Sequence, residues 1–165
     1  MILRIPRGKH RARPLRFGLW WNRREFKWKV TFTDSCRYDL GHPDQLDINK
    51  LVGIGYLPGH HKESARFGWR YWIGSELIEL LAYCYINGER KTEHIGYCKI
   101  GVTYRIELYA FRWAYFFVLD DIEGNAIADV EVLHSNTRRL QYRLGTFFGG
   151  SSTAPHDIHI KLERG

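Results

Sequence analysis

Along residues 64–72 apolar and polar side chains alternate strictly, with Ala65, Phe67, Trp69 and Tyr71 on one parity and Arg66 and Arg70 on the other. Period-two alternation sets one row against a core and the other in water, which is the pattern of a half-buried strand. Residues 77–86 repeat it: Ile78, Leu80, Ala82, Cys84 and Ile86 form the apolar row, and Glu79, Tyr83 and Tyr85 the polar one. With the two strands as neighbours, arginines, tyrosines and a glutamate share one exposed surface.

The same period recurs along the chain. Phe26, Trp28, Val30 and Phe32 alternate with Lys27, Lys29, Thr31 and Thr33. Tyr104, Ile106, Leu108 and Ala110 alternate with Arg105, Glu107 and Tyr109, and Ile158, Ile160 and Leu162 with His159, Lys161 and Glu163. Residues 113–119 are apolar on both faces and predict a central strand, while 16–21, 91–100, 126–133 and 140–148 supply further candidates. Asn87-Gly88 offers the positive-φ positions of a tight hairpin, and Glu123-Gly124-Asn125 a second turn. Short strands, regular turns and no convincing helix predict an all-β, antiparallel two-sheet sandwich of jelly-roll type. The lack of an internal repeat argues against a propeller or solenoid. Residues 33–62 break the pattern with Asp34-Ser35, Gly41-His42-Pro43-Asp44, Gly53, Gly55 and Pro58-Gly59. They predict a long loop before the central strands, with a short helical turn inside 44–52.

Composition bounds this picture. A chain of 165 residues and 19.5 kDa suits one domain, and its 15% aromatic content suits strands that present large side chains to a core. The net charge of +7 is uneven: residues 1–24 hold Arg4, Arg7, Lys9, Arg11, Arg13, Arg16, Arg23 and Arg24 with no acid, while the remainder carries 17 bases against 18 acids. This predicts a basic N-terminal arm over residues 1–14 ahead of a single sandwich domain at 15–165. Such an arm keeps the protein soluble or contacts a polyanion through residues 1–24. Met1-Ile2-Leu3-Arg4-Ile5-Pro6-Arg7 is broken by charge and proline before a secretion signal can form, and no apolar run nears the roughly 20 residues of a membrane span. The expected location is the cytoplasm or an assembled particle. Cys36, Cys84 and Cys98 are odd in number with no CxxC pair, so they read as core residues or free thiols.

The closing segment Leu144-Gly145-Thr146-Phe147-Phe148-Gly149-Gly150-Ser151-Ser152-Thr153-Ala154-Pro155-His156-Asp157-Ile158, with the meander before it, resembles the last strands of concanavalin A-like or laminin G-like jelly rolls. The resemblance covers residue 25 onward and is carried by glycine-rich turns, not by a site signature. It implies two curved antiparallel sheets, with carbohydrate or protein ligands on the concave face or at rim loops. Glucanase-like members carry acids at alternate positions of one strand, because nucleophile and acid must stand about 5 Å apart. Here the nearest cluster, Asp120-Asp121-Ile122-Glu123, falls at a turn. Similarity to alginate lyase-like members implies Arg66 and Arg70 neutralising a uronate, His60 or His61 as base and Tyr83 or Tyr85 as acid. That family's glutamate between the arginines is replaced by Phe67-Gly68-Trp69, and its glutamine-x-histidine and tyrosine-lysine-glycine strands have no match.

Without a catalytic signature, the sequence favours a non-enzymatic binding or assembly protein: a phage or virion structural component, or a carbohydrate-binding module. A lyase acting on acidic glycans and a nucleic-acid-associated protein using the arm are the alternatives. The candidate ligand face is Arg66, Arg70, Trp72, Tyr83 and Tyr85, with His60, His61 and Lys62 at its edge. Planar guanidinium forks suit carboxylate or sulfate, and aromatic rings suit the carbon faces of sugars. The competing structural role for Arg66 and Arg70 is pairing with Glu79 to hold strand register. No cofactor or metal is expected: adjacent histidines point apart on an extended chain, and Asp34, Asp39, Asp44 and Asp47 lack EF-hand spacing. The expected partners are an acidic or neutral glycan, or protein subunits of an assembly, and no membrane.

Overall fold

The alternating segments become two antiparallel six-stranded sheets in the computed structural model, which describes all 165 residues. The first sheet runs, in spatial order, β1 (Ile2–Ile5), β12 (Ile158–Arg164), β3 (Glu25–Phe32), β8 (Thr103–Ala110), β9 (Ala114–Asp120) and β10 (Ala126–Leu133). The second runs β2 (Leu19–Trp21), β11 (Leu140–Leu144), β4 (Asn49–Tyr56), β5 (Glu63–Trp72), β6 (Leu77–Ile86) and β7 (Glu89–Lys99). Helix is confined to two 3-10 turns, Asp34–Cys36 and Pro43–Leu46. The jelly-roll sandwich expected from the sequence is therefore the fold.

The two apolar rows meet between the sheets. Phe67 of β5 packs edge-on to Phe117 of β9 at 5.0 Å between ring centres, and Trp69 of β5 lies 5.5 Å from Phe32 of β3. Strands β5 and β6 are neighbours in the expected register, with Arg66 opposite Tyr83 and Arg70 opposite Glu79. Their polar row is thus one surface on the outer side of the second sheet.

Three expectations are corrected. Residues 33–62 are not one long loop, because Asn49–Tyr56 is the third strand of the second sheet, with Leu51, Val52, Ile54 and Tyr56 buried. Its alternation was hidden because small residues replace polar ones on the outer face: Gly53 sits opposite Arg66, where a Cβ would lie 2.2 Å from the Ala65 carbonyl oxygen. The helical turn in this region starts at Pro43 and ends before β4. Residues 1–14 are likewise not a free arm. Ile2–Ile5 pairs with β12, Leu3 and Ile5 are buried, and the following segment is tied down where Ala12 donates to the Thr146 carbonyl and the Arg4 amide to that of Arg13. Burying the two side chains is worth about 1.5–3 kcal/mol each, which outweighs the charge pattern that suggested a solvated tail. Finally, β9 is not central but second from the edge, and Trp113 before it is exposed.

Candidate binding groove

The outer face of the second sheet carries a groove of about 670 Å3 whose floor comes from β4, β5, β6 and β11. Its shape follows from residue size: Gly53, Gly55 and Gly68 place no side chain on this face, and a Cβ at Gly55 would meet His60 and Tyr142 at 2.9 Å. Long side chains from the flanking positions rise around these gaps. Lys50 comes from β4, Arg66 from β5, Tyr83 and Tyr85 from β6, Tyr142 from β11, and His60 and His61 from the turn between β4 and β5, while Arg143, of opposite parity to Tyr142 on β11, borders both the groove and the space between the sheets. The remaining wall is the strap that leads from β1 to β2, with Arg11, Pro14, Leu15, Arg16 and Phe17. The segment expected to be a free arm is thus part of the site.

Five cations line this groove, Arg11, Arg16, Lys50, Arg66 and Arg143, and no carboxylate does. The Nζ of Lys50 donates to the Gly149 carbonyl at 3.0 Å and stands 5.0 Å over the Tyr83 ring. Arg66 is half-buried: Nη2 reaches the Gly145 carbonyl at 3.4 Å, while its Nε is shielded from solvent and has no acceptor. Burial, and then the neighbouring Arg66, push the Lys50 ammonium down to about 8. Burial pushes the Arg66 guanidinium down to about 10, which leaves it charged at neutral pH. The nearby acid Asp47 is held outside the groove, where it accepts from the Gly150 amide at 3.2 Å.

His60 and Tyr142 form a pair inside the groove, Nδ1 to Oη 3.3 Å. Burial, followed by His61, Arg66 and Arg11, depresses the His60 imidazole to about 4, and burial raises the Tyr142 phenol. At neutral pH the histidine is uncharged and the tyrosine keeps its proton. The expectation that the adjacent histidines point apart fails: the chain turns here, and the two rings lie 4.2 Å apart, with His61 then edge-on to Tyr85 at 5.2 Å. No group of three metal-ligating side chains gathers here or elsewhere in the structure.

Of the eight side chains expected to form one face, His60, His61, Arg66, Tyr83 and Tyr85 converge on the groove. Arg70 and Trp72 lie farther along β5 and are engaged by Glu79, which accepts from Arg70 Nε at 2.5 Å, Trp72 Nε1 at 2.9 Å and His94 Nδ1 at 2.8 Å. For Arg70 the register-holding role is the one observed. Lys62 is exposed and lies outside the groove. Sequence reasoning missed Lys50, Tyr142 and Arg143, and gave Arg11 and Arg16 only as part of a basic N-terminal region that contacts a polyanion, not as part of this face. Tyr142 stands on β11 and Lys50 on β4, which lies between β11 and β5, and neither pairing of β4 was legible, although the Gly53-x-Gly55 spacing marks a face where side chains are excluded.

No family model and no curated protein matches the chain. Among solved structures, the alginate lyase from Klebsiella pneumoniae superposes with a TM-score of 0.57 at 12% identity, over 90% of this chain and 60% of that one. A functionally unknown protein from Saccharomyces cerevisiae superposes at 0.54 and 8% identity, over 90% and 73% of the respective chains. At such identities the likeness is one of fold, and this chain spans only about 60% of the lyase's length. The concanavalin A-like resemblance holds at that level.

Proposed function

We propose that the groove binds an acidic polysaccharide, with Lys50 and Arg66 meeting its anionic groups and Tyr83, Tyr85 and Tyr142 lying along its rings. The supporting observation is the lining itself, five cations and no carboxylate. Like charges held together and partly removed from water repel each other, and an anionic chain laid between them offsets that repulsion. Cations alone would suit any polyanion, but tyrosine faces add contact area for the carbon faces of pyranose rings. The fold likeness to an alginate lyase is consistent with a carbohydrate ligand.

The contact between His60 and Tyr142 beside Arg66 favours a second reading, β-elimination of a uronate, with the pair as base and acid. The pair carries the protonation states that roles as base and acid require, but burial shifts both groups in the direction that weakens them. An imidazole depressed to about 4 is a weak base, and a phenol raised by burial holds its proton. Binding without turnover is the better-supported reading. Affinity electrophoresis in gels containing alginate, polygalacturonate or neutral laminarin, with absorbance of unsaturated uronates followed in parallel, tests it. Retardation by the two acidic polymers with no rise in absorbance is expected. A rise that disappears in His60→Ala would assign a lyase, and equal mobility in all gels would contradict both readings.

A further inference from the structure

The groove does not stop at the edge of its sheet. Arg16, Phe17 and Arg143 line it and also line a second recess, of about 320 Å3, at the open mouth between the sheets. Arg143 has the same parity on β11 as buried Gln141 and sits opposite buried Ile54, so its side chain is directed to the inter-sheet side. Trp20, opposite Gln141 on β2, faces the same mouth, and Arg164 at the end of β12 borders it.

The charges in this recess are unevenly satisfied. Its one carboxylate, Glu163, lies 3.4 Å from the amino group of Met1, and Lys27 is paired with Glu25 at 2.8 Å and Glu107 at 3.2 Å. The charged neighbours that act on Arg143 are Arg16 and Arg164, which add to burial in pushing its guanidinium below the usual range. Arg16 turns its Nε to the Met1 sulfur and not to an acid. Arg23 turns its Nε to the Glu25 carbonyl and lies over the Phe26 ring, and the other three guanidiniums, Arg16, Arg143 and Arg164, converge without a counter-ion where the groove opens into a recess walled by aromatic rings.

We propose that Arg16, Arg143 and Arg164 form an anion subsite through which the ligand chain passes from the groove into the inter-sheet recess, where its sugar rings rest against Phe17 and Trp20. This rests on the reading that the groove takes an acidic polysaccharide, and it adds that the ligand is an extended chain engaging both cavities. A guanidinium cluster matches carboxylate or sulfate by bidentate hydrogen bonds, and the strongly exposed Phe17 offers an apolar face at the crossing.

A length series of oligogalacturonates, titrated calorimetrically against the wild-type chain, Arg164→Gln and Arg143→Gln, tests the subsite. Wild-type affinity should rise with length, level off once the groove is filled, and rise again as the chain reaches the recess. Arg164→Gln, a change at an exposed position near the chain end, should remove the second rise, a loss of about tenfold on the longest oligomers, and leave short ones unaffected. Arg143→Gln, with its fold checked by thermal melting, should also remove the second rise, and because Arg143 borders the groove as well it should weaken short oligomers too. A single plateau in the wild type, or a second rise that persists in Arg164→Gln, would overturn the subsite while leaving the groove reading intact. Failure of the wild type to bind any length would overturn both.

Discussion

Lys50 carries a charge that is sensitive near physiological pH. Burial and Arg66 hold its ammonium at about 8, so the charge is present below that pH and is lost as pH rises through it. Affinity for an acidic glycan should therefore fall between pH 7 and pH 9. A bound anion favours the charged form and moves the transition upward in the complex. Lys50→Arg keeps its charge over this range, so its affinity should stay flat, and an unchanged pH profile in that variant would show that Lys50 does not meet the ligand. Glu79 tells the opposite story, one of stability. Burial raises its carboxyl, but hydrogen bonds from Arg70, His94 and Trp72 outweigh that and leave it lowered. A lowered carboxyl contributes stability that is complete above its unfolded value and is lost as pH falls through the folded one. Glu79→Gln should cost about 1–3 kcal/mol in urea unfolding at pH 7, and the gap to wild type should narrow near pH 3. Arg66 and Arg70 share a strand, a parity and a residue type, so the sequence assigned them alike. What separates them is the cross-strand partner, Tyr83 for one and Glu79 for the other.

At the scale of elements, most of the sandwich was legible because one apolar row per strand faces a single core. Two elements were not. For β1 the charge of residues 1–24 masked the spacing of Leu3 and Ile5, and a strand of four residues is too short for alternation to stand out. For β4 the glycines that shape the groove floor erased the polar row. Both misreadings have testable counterparts. Ile5→Ala should destabilise the protein by about 2–5 kcal/mol, and removal of residues 1–13 should lower the melting temperature sharply, because an edge strand and a groove wall go with them. A truncated protein that melts like wild type would restore the free arm. Gly53→Ala should weaken the β4–β5 pairing, since its Cβ meets backbone that cannot swing aside, and a melting curve no different from wild type would contradict that packing.

On the scale of the whole molecule, the fold was readable from periodicity, but the site was readable only in part, because it joins side chains from β4, β5, β6, β11 and the strap. Pairing between β5 and β6 follows from sequence neighbours. The approach of Tyr142 to His60, 82 positions apart, follows only from the course of the chain. The basic N-terminal region takes its meaning from the same fact: Arg11 and Arg16 reach the groove, Arg23 lines the recess between the sheets, and the other arginines stay at the surface. The most direct test is calorimetric titration of polygalacturonate into wild type, Lys50→Gln/Arg66→Gln and Arg70→Gln, with a thermal melt of each. Binding should vanish in the double variant while its melting temperature moves by only a few degrees, and Arg70→Gln should bind like wild type but melt earlier. A double variant that remains folded and binds as tightly as wild type would contradict the assignment of the groove as the ligand site.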